Sequence, residues 1–280
     1  MNIHEAIKKG KDTLENNSIV SSQLDSEILM SQTINKDRRY VILNSKTELD
    51  EEKLNFFNNL IYERSKGMPI AYLTNKKGFW KYEFIVERDI LIPRPDTEII
   101  VEQALKLVSN KSKLRVLDIG IGSGCILLSI LKEKKNFYGV GIDISKKCIN
   151  ISKTNAYKLN VINRLKLFNS CIDNFKYGKY DLIISNPPYI NKFDLKYLNK
   201  DVVNFEPKLA LNGGLDGISE IRKVIKRTSE LIKKNGKFIL EIGFDQKIRV
   251  KRLLINNGFY INKVFQDLAR NDRCIVSTKL

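Results

Sequence analysis

The chain has 280 residues, 42% of them hydrophobic, and its 49 Lys and Arg outnumber 32 Asp and Glu to give a net charge of +17. This length suits a main domain of about 200 residues with a small companion. No run of about 18 apolar residues occurs, and the first ten residues lack the basic, apolar and small-residue succession of a secretory leader, which argues against a membrane span and for the cytosol. The cysteines Cys125, Cys148, Cys171 and Cys274 are scattered without a paired spacing, so neither a zinc site nor a disulfide framework is expected.

In chain order, the apolar spacing predicts helices over about 2–15, 22–34, 37–43 and 50–65, with Thr47, Asp50 and Glu51 as a start signal. This helical domain, residues 1–70, carries no chemical motif, and its one histidine, His4, is expected at the surface. A linker over 71–92 follows. Gly67-Met68-Pro69 breaks the helical pattern, and Gly78 to Val86 alternates with period two as a strand or hairpin does, with Trp80 as packing. From about Ser112 strands and helices alternate: a strand to Asp118, a helix from Gly124, a strand to Asp143, a helix over about 145–158, a short strand at Leu165 to Phe168 and another at Tyr180 to Ile184. A helix over about 217–234 capped by Gly236 comes next, then strands at Lys237 to Ile242, Phe259 to Phe265 and Arg273 to Ser277. Residues 93–280 therefore read as an α/β domain on a mainly parallel sheet.

Two strand ends carry the chemistry. The first runs into Gly120-Ile121-Gly122-Ser123-Gly124 and an apolar helix. Glycines admit close backbone approach and the helix start offers free N–H groups. The spacing is neither that of the dinucleotide fingerprint, which would need glycine at Cys125, nor that of a phosphate loop. The next strand ends in Asp143, 19 residues beyond Gly124, where a doubly wound domain meets a ribose diol. The second strand end is Asn186-Pro187-Pro188-Tyr189, after the apolar run Leu182 to Ser185. Prolines hold φ near −65° and lack N–H groups, so the Asn186 side chain and the carbonyls of this stiff turn can accept from an NH2 group on a planar acceptor that Tyr189 covers. Alone, the tetrapeptide also fits a plain proline turn; the glycine loop, Asp143 and the tetrapeptide in that order favour the chemical reading.

Together these residues resemble the class I S-adenosylmethionine-dependent methyltransferases that methylate amino groups. Leu91 to Glu98, Asn204 to Gly217 and Leu240 to Gln246 narrow the resemblance to the N5-glutamine methyltransferases of peptide chain release factors, over nearly the whole chain. The resemblance implies a Rossmann-like, seven-stranded class I methyltransferase domain behind a substrate-contacting helical domain. The implied cofactor is S-adenosyl-L-methionine, with S-adenosyl-L-homocysteine as product, and the implied substrate is the glutamine of a Gly-Gly-Gln loop in class I release factors. It implies cofactor contacts from Gly120, Ile121, Gly122, Ser123, Gly124, Asp143, Cys171 and Asn186, with Asp118 capping the loop in preference to contacting the donor's amino group, and Ser170 in a place where many relatives carry an acidic residue. Asn186, Pro187 and Tyr189 would be catalytic, and Asn186, Pro187, Pro188, Tyr189 and Glu206 would face substrate, although Glu206 serves equally as a loop-fixing carboxylate. Arg94, Asp96, Thr97 and Glu98 would order the site mouth, Asp96 or Thr97 alternatively acting as a helix N-cap.

Three other readings carry distinct consequences. A DNA adenine-N6 methyltransferase would use the same tetrapeptide on a flipped base, yet no sizeable target-recognition domain is visible. A glutamine methyltransferase of a ribosomal protein would share most of these motifs, and a release-factor or ribosome-binding module with lost activity is opposed by the intact Asn186 to Tyr189 and Gly120 to Gly124, Ser170 alone leaving it room. The +17 charge reads as a solvated, compositionally biased surface or as attraction to an RNA-rich neighbourhood.

Overall fold

The computed structural model describes residues 1–108 and 113–280; the expected start of the α/β alternation at Ser112 lies outside them. Two compact units emerge, Met1–Lys76 with Asn199–Phe205, and Lys77–Leu198 with Glu206–Leu280. In the first, α1 (Ile3–Asn16), α2 (Ser22–Ile34), α3 (Arg38–Leu43), α4 (Glu51–Ser65) and α5 (Ile70–Thr74) follow in order. Asp50 accepts from the Lys53 N–H to start α4. Ile3, Leu14, Leu29, Met30, Phe57 and Ile61 form this unit's core, each worth about 1.5–3 kcal/mol when fully buried. Between α2 and α4, Arg64 Nε meets Asp25 Oδ2 at 2.7 Å, with side chains only 11% and 6% exposed.

The second unit begins with the hairpin of β1 (Lys76–Phe79) and β2 (Tyr82–Ile85). Its turn residue Trp80 adopts φ +58 and donates through Nε1 to Glu133, which also accepts from Tyr82 Oη. Then come α6 (Glu98–Leu107), β3 (Arg115–Ile119), α7 (Cys125–Glu133), β4 (Tyr138–Asp143), α8 (Lys146–Lys158), β5 (Leu165–Asn169) and β6 (Tyr180–Ser185). After β6 follow α9 (Lys200–Phe205), which belongs with the first unit, α10 (Lys208–Leu211), α11 (Ser219–Leu231), β7 (Ile232–Glu241), α12 (Lys247–Asn256), β8 (Phe259–Gln266) and β9 (Asp272–Lys279).

Strands β3 to β9 form one sheet in the order β5-β4-β3-β6-β7-β9-β8. The first five in that order pair in parallel; β9 pairs antiparallel with both β7 and β8. This is the mainly parallel seven-stranded sheet that the alternation predicts. Central strands read as continuous apolar runs because both faces are covered. Val116 joins a cluster with α6, α7 and the hairpin, and its neighbour Leu117 joins one with α11 and α12, as alternation across a strand demands.

One boundary differs from expectation. Gly236 does not cap α11, which ends at Leu231; it lies within β7. Ile232 already pairs with Tyr180 of β6, and the ladder resumes at Lys237 opposite Leu182 after an irregularity that includes Asn235 at φ +63. Among the described residues, no helix is long and apolar enough to cross a membrane.

Candidate active site

The chain leaves β3 toward β4 on one side and β6 lies on the other, so the strand order, not the strand direction, reverses between β3 and β6. Ligands bind outside the carboxyl ends of strands at such a switch point. Ile119 pairs with Ser185, Ile142 with Ile119, and Leu240 with Ser185. That register sets Gly120, Asp143, Asn186 and Glu241 level along one edge, each just beyond or at the end of its strand.

The glycine loop is tied from beneath. Gly120 and Ile121 donate to the Ile142 carbonyl, Ser152 Oγ donates to the Gly122 carbonyl at 2.7 Å, and Asn155 Nδ2 donates to that of Ser123 at 2.9 Å. Ser152 and Asn155 are fully buried on α8, and Asn155 also exchanges hydrogen bonds with the Ile85 backbone. These two residues were not singled out from the sequence; their signal is a pair of polar residues three apart on the helix face that buries Ile151 and Ala156. Gly120 and Gly122 sit at φ +78 and +57, and a Cβ built on either would meet nothing within 4 Å. The backbone therefore faces open space that a side chain would fill.

Asp143 Oδ2 accepts from Gly122 N and Oδ1 from Ser145 N, at 2.9 and 2.8 Å. Burial pushes its acidity down, opposed by those two bonds. Asp118 does not cap the loop as expected. It is 1% exposed and neither of its carboxylate oxygens has a hydrogen-bond partner. Burial, reinforced by the Asp143 charge, pushes its carboxyl up to about 8. A glycine cradle, a strand-end carboxylate and an orphaned buried carboxylate fit a ligand that carries hydroxyls and a cationic group. Beyond β5, Ser170 Oγ donates to the Cys171 carbonyl and its N–H to Asp143 O, while Asn169 Nδ2 holds the Asp143 and Ile144 carbonyls. Cys171 is half-buried, with Sγ 3.8 Å from Asp173 Oδ2.

Beside the cradle, Asn186 and Tyr189 are partly exposed and Pro187 is buried. Asn186 Nδ2 donates to Thr97 Oγ1 at 3.2 Å, which leaves Oδ1 as the end of the amide still able to accept. Thr97, 3% exposed, precedes α6 without making a side-chain cap bond; its hydroxyl is turned to Asn186 instead. Tyr189 Oη donates to Glu241 Oε1 at 3.2 Å and accepts from Arg273 Nη1 at 3.4 Å. Its carbonyl accepts from Gln246 Nε2, which also donates to Gly217 O. At Gly213, a Cβ would fall 2.8 Å from Tyr189 Cα and 2.6 Å from the Gly217 carbonyl, so that glycine permits the approach of the two loops. The Asn204 to Gly217 and Leu240 to Gln246 segments thus contribute braces for the tetrapeptide. Glu206 is 5% exposed, its Oε1 2.5 Å from Arg94 Nη2 and its Oε2 accepting from Ile92 N; both oxygens serve to fix the loop.

Known proteins resemble this chain in both sequence and fold. Residues 5–74 match the PrmC N-terminal domain family and 97–209 the Methyltransferase small domain family. Solved structures of the ribosomal protein L11 methylase of Lactobacillus delbrueckii (TM-score 0.51, 73% of this chain and 90% of that one) and of a methyltransferase from Pyrococcus furiosus (0.54, 79% and 97%) share the fold at 18% identity. The bifunctional methyltransferase of Rickettsia conorii is 34% identical across 98% of this chain, which spans 57% of that longer protein. The release factor glutamine methyltransferases of Buchnera aphidicola and Clostridium acetobutylicum are each 36% identical across 100% of this chain and 99% of their own length. A cradle and tetrapeptide on a class I methyltransferase sheet, matched end to end at that identity, mean that the chain belongs to the release factor glutamine methyltransferase family.

Proposed function

We propose that the protein methylates the side-chain N5 of the glutamine in the Gly-Gly-Gln motif of class I peptide chain release factors, using S-adenosyl-L-methionine and releasing S-adenosyl-L-homocysteine in the cytoplasm. The observation that carries this reading is the orientation of the Asn186 amide: with Nδ2 held by Thr97, Oδ1 is directed to accept. An amide nitrogen is a poor nucleophile because its lone pair is delocalised. Asn186 Oδ1 and the Pro187 carbonyl accept both N–H bonds of the substrate amide, orienting its nitrogen and leaving it one open face, and Tyr189 packs against the amide plane. Catalysis is then mainly positioning in a near-attack geometry. The cofactor supplies an electrophilic methyl on a positively charged sulfur. Gly120 to Gly124 would hold its amino-acid end, Asp118 its cationic group, Asp143 its ribose hydroxyls and Cys171 its adenine edge, with Asn186 beside the methyl. DNA methylation, the alternative raised by the tetrapeptide, is not favoured by relatives named for release factors.

The test is intact and fragment mass spectrometry of a release factor incubated with protein and cofactor, beside a factor with the motif glutamine replaced and a DNA substrate. One methyl on that glutamine is expected. Asn186→Ala should lose on the order of 10²- to 10³-fold in turnover with cofactor still bound by calorimetry. Near-normal turnover of that variant, or methylated DNA with an unmodified factor, would overturn the proposal.

A further inference from the structure

Glu241 ends β7 directly behind the tetrapeptide and belongs to none of the roles assigned so far. It is 2% exposed, Oε1 accepts from Tyr189 Oη, and Oε2 is buried with no hydrogen-bond partner. The Thr97 hydroxyl stabilises its charged form without reaching hydrogen-bond geometry with Oε2. Thr97 in turn accepts from Asn186 Nδ2. Tyr189 thus ties this carboxylate to the last residue of the substrate-gripping turn, and Thr97, whose hydroxyl favours the carboxylate's charged form, holds the first.

Resting on the proposed function, we infer that Glu241 is a positioning residue: when ionised, it draws the Thr97 and Tyr189 hydroxyl protons toward itself and so sets which end of the Asn186 amide meets the substrate. A carboxylate accepts only, whereas a carboxylic acid also donates. With Glu241 ionised, the single Thr97 proton turns to Oε2, Thr97 Oγ1 accepts from Asn186 Nδ2, and Oδ1 faces substrate. With Glu241 protonated at Oε2, the acid donates to Thr97 Oγ1 and the Thr97 proton turns to Asn186. The amide then offers Oδ1 to Thr97 and its NH2 to substrate, donor against donor. The unpartnered Oε2 is the vacancy that either arrangement fills.

The groups facing Glu241 come from several elements. Arg273 of β9 and the Thr97 and Tyr189 hydroxyls favour its charged form, while Asp96 of the Pro95–Thr97 turn opposes it. Its charge acts on the buried thiols of Cys274, its partner in the β7–β9 ladder, and Cys125 of α7, and Arg94 acts on Tyr189. Burial outweighs these favourable partners and pushes the Glu241 carboxyl up to about 7, so the two arrangements exchange near neutrality.

The experiment follows the ¹⁵N-resolved side-chain amide of Asn186, assigned by its loss in Asn186→Ala, through a pH titration of the full-length protein without substrate. The wild type should show a transition near neutrality, and Glu241→Gln, still folded by its melting curve, should show none. In turnover on a release factor, Glu241→Gln and Thr97→Val should each lose on the order of 10- to 100-fold in kcat, with less change in KM and unchanged cofactor binding, and Thr97→Ser should restore activity. An Asn186 amide that ignores pH in the wild type, or a Glu241→Gln variant with full turnover, overturns the inference. A titrating amide in a protein that leaves release factors unmodified refutes the proposed function and upholds the role of Glu241 on whichever NH2 group the site takes.

Discussion

Asp118 is a carboxyl without company. Its folded acidity lies at about 8 against an ordinary value of 3.8, so between those pH values the folded state holds a proton that the unfolded state has released. Linkage then makes stability fall as pH rises through that window, with the full penalty present above it. Asp118→Asn removes the charge while keeping the shape. Its ligand-free form should melt above the wild type in alkaline buffer, the gain shrinking as the pH drops toward 4, and its cofactor affinity should fall. Equal melting temperatures at alkaline pH would mean that Asp118 carries no buried-charge penalty. The motif residues around it were legible because each set is contiguous: Gly120 to Gly124 and Asn186 to Tyr189 announce backbone freedom and stiffness in the types themselves. Their pairings were not, even where the partner, Thr97, already stood out at the site mouth. Thr97 lies 89 residues from Asn186 and Glu241 lies 52 from Tyr189, separations that only the strand order closes.

At the scale of elements, the junction of β3 with α7 rests on glycines of two kinds. Gly124, at φ +84, has Leu128 Cδ1 2.7 Å from where a Cβ would stand, whereas Gly120, at φ +78, has open space. Gly124→Ala should lower stability by about 1–3 kcal/mol in urea unfolding through backbone strain and crowding. Gly120→Ala should cost less stability but weaken cofactor binding more, as calorimetry would read. If Gly120→Ala binds cofactor normally, the open space there is not the cradle. Alternation of hydrophobic runs revealed the strands and helices because central parallel strands are buried on both faces. It misplaced the end of α11 because Ile232, Lys233 and Lys234 continue a helical pattern while the ladder to Tyr180 claims Ile232 for β7.

For the whole molecule, the excess of 17 positive charges bears on where the protein spends its time. Of the lysines and arginines, many answer a carboxylate, as Lys233 does Asp181 and Lys158 does Glu83, and such exposed pairs contribute little to stability. The surplus should draw the protein to RNA-rich assemblies through counterion release. Co-sedimentation with ribosomes should fall steeply between low and moderate salt; unchanged co-sedimentation would leave the charge a matter of composition.

Strand β9 follows every other strand in the chain yet sits inside the sheet, between β7 and β8, and it brings Arg273 to Tyr189 and Asp267. During folding, β7 and β8 therefore keep open edges until β9 inserts between them. The brace on Tyr189 is therefore complete only once β9 has threaded between two strands that precede it in the chain.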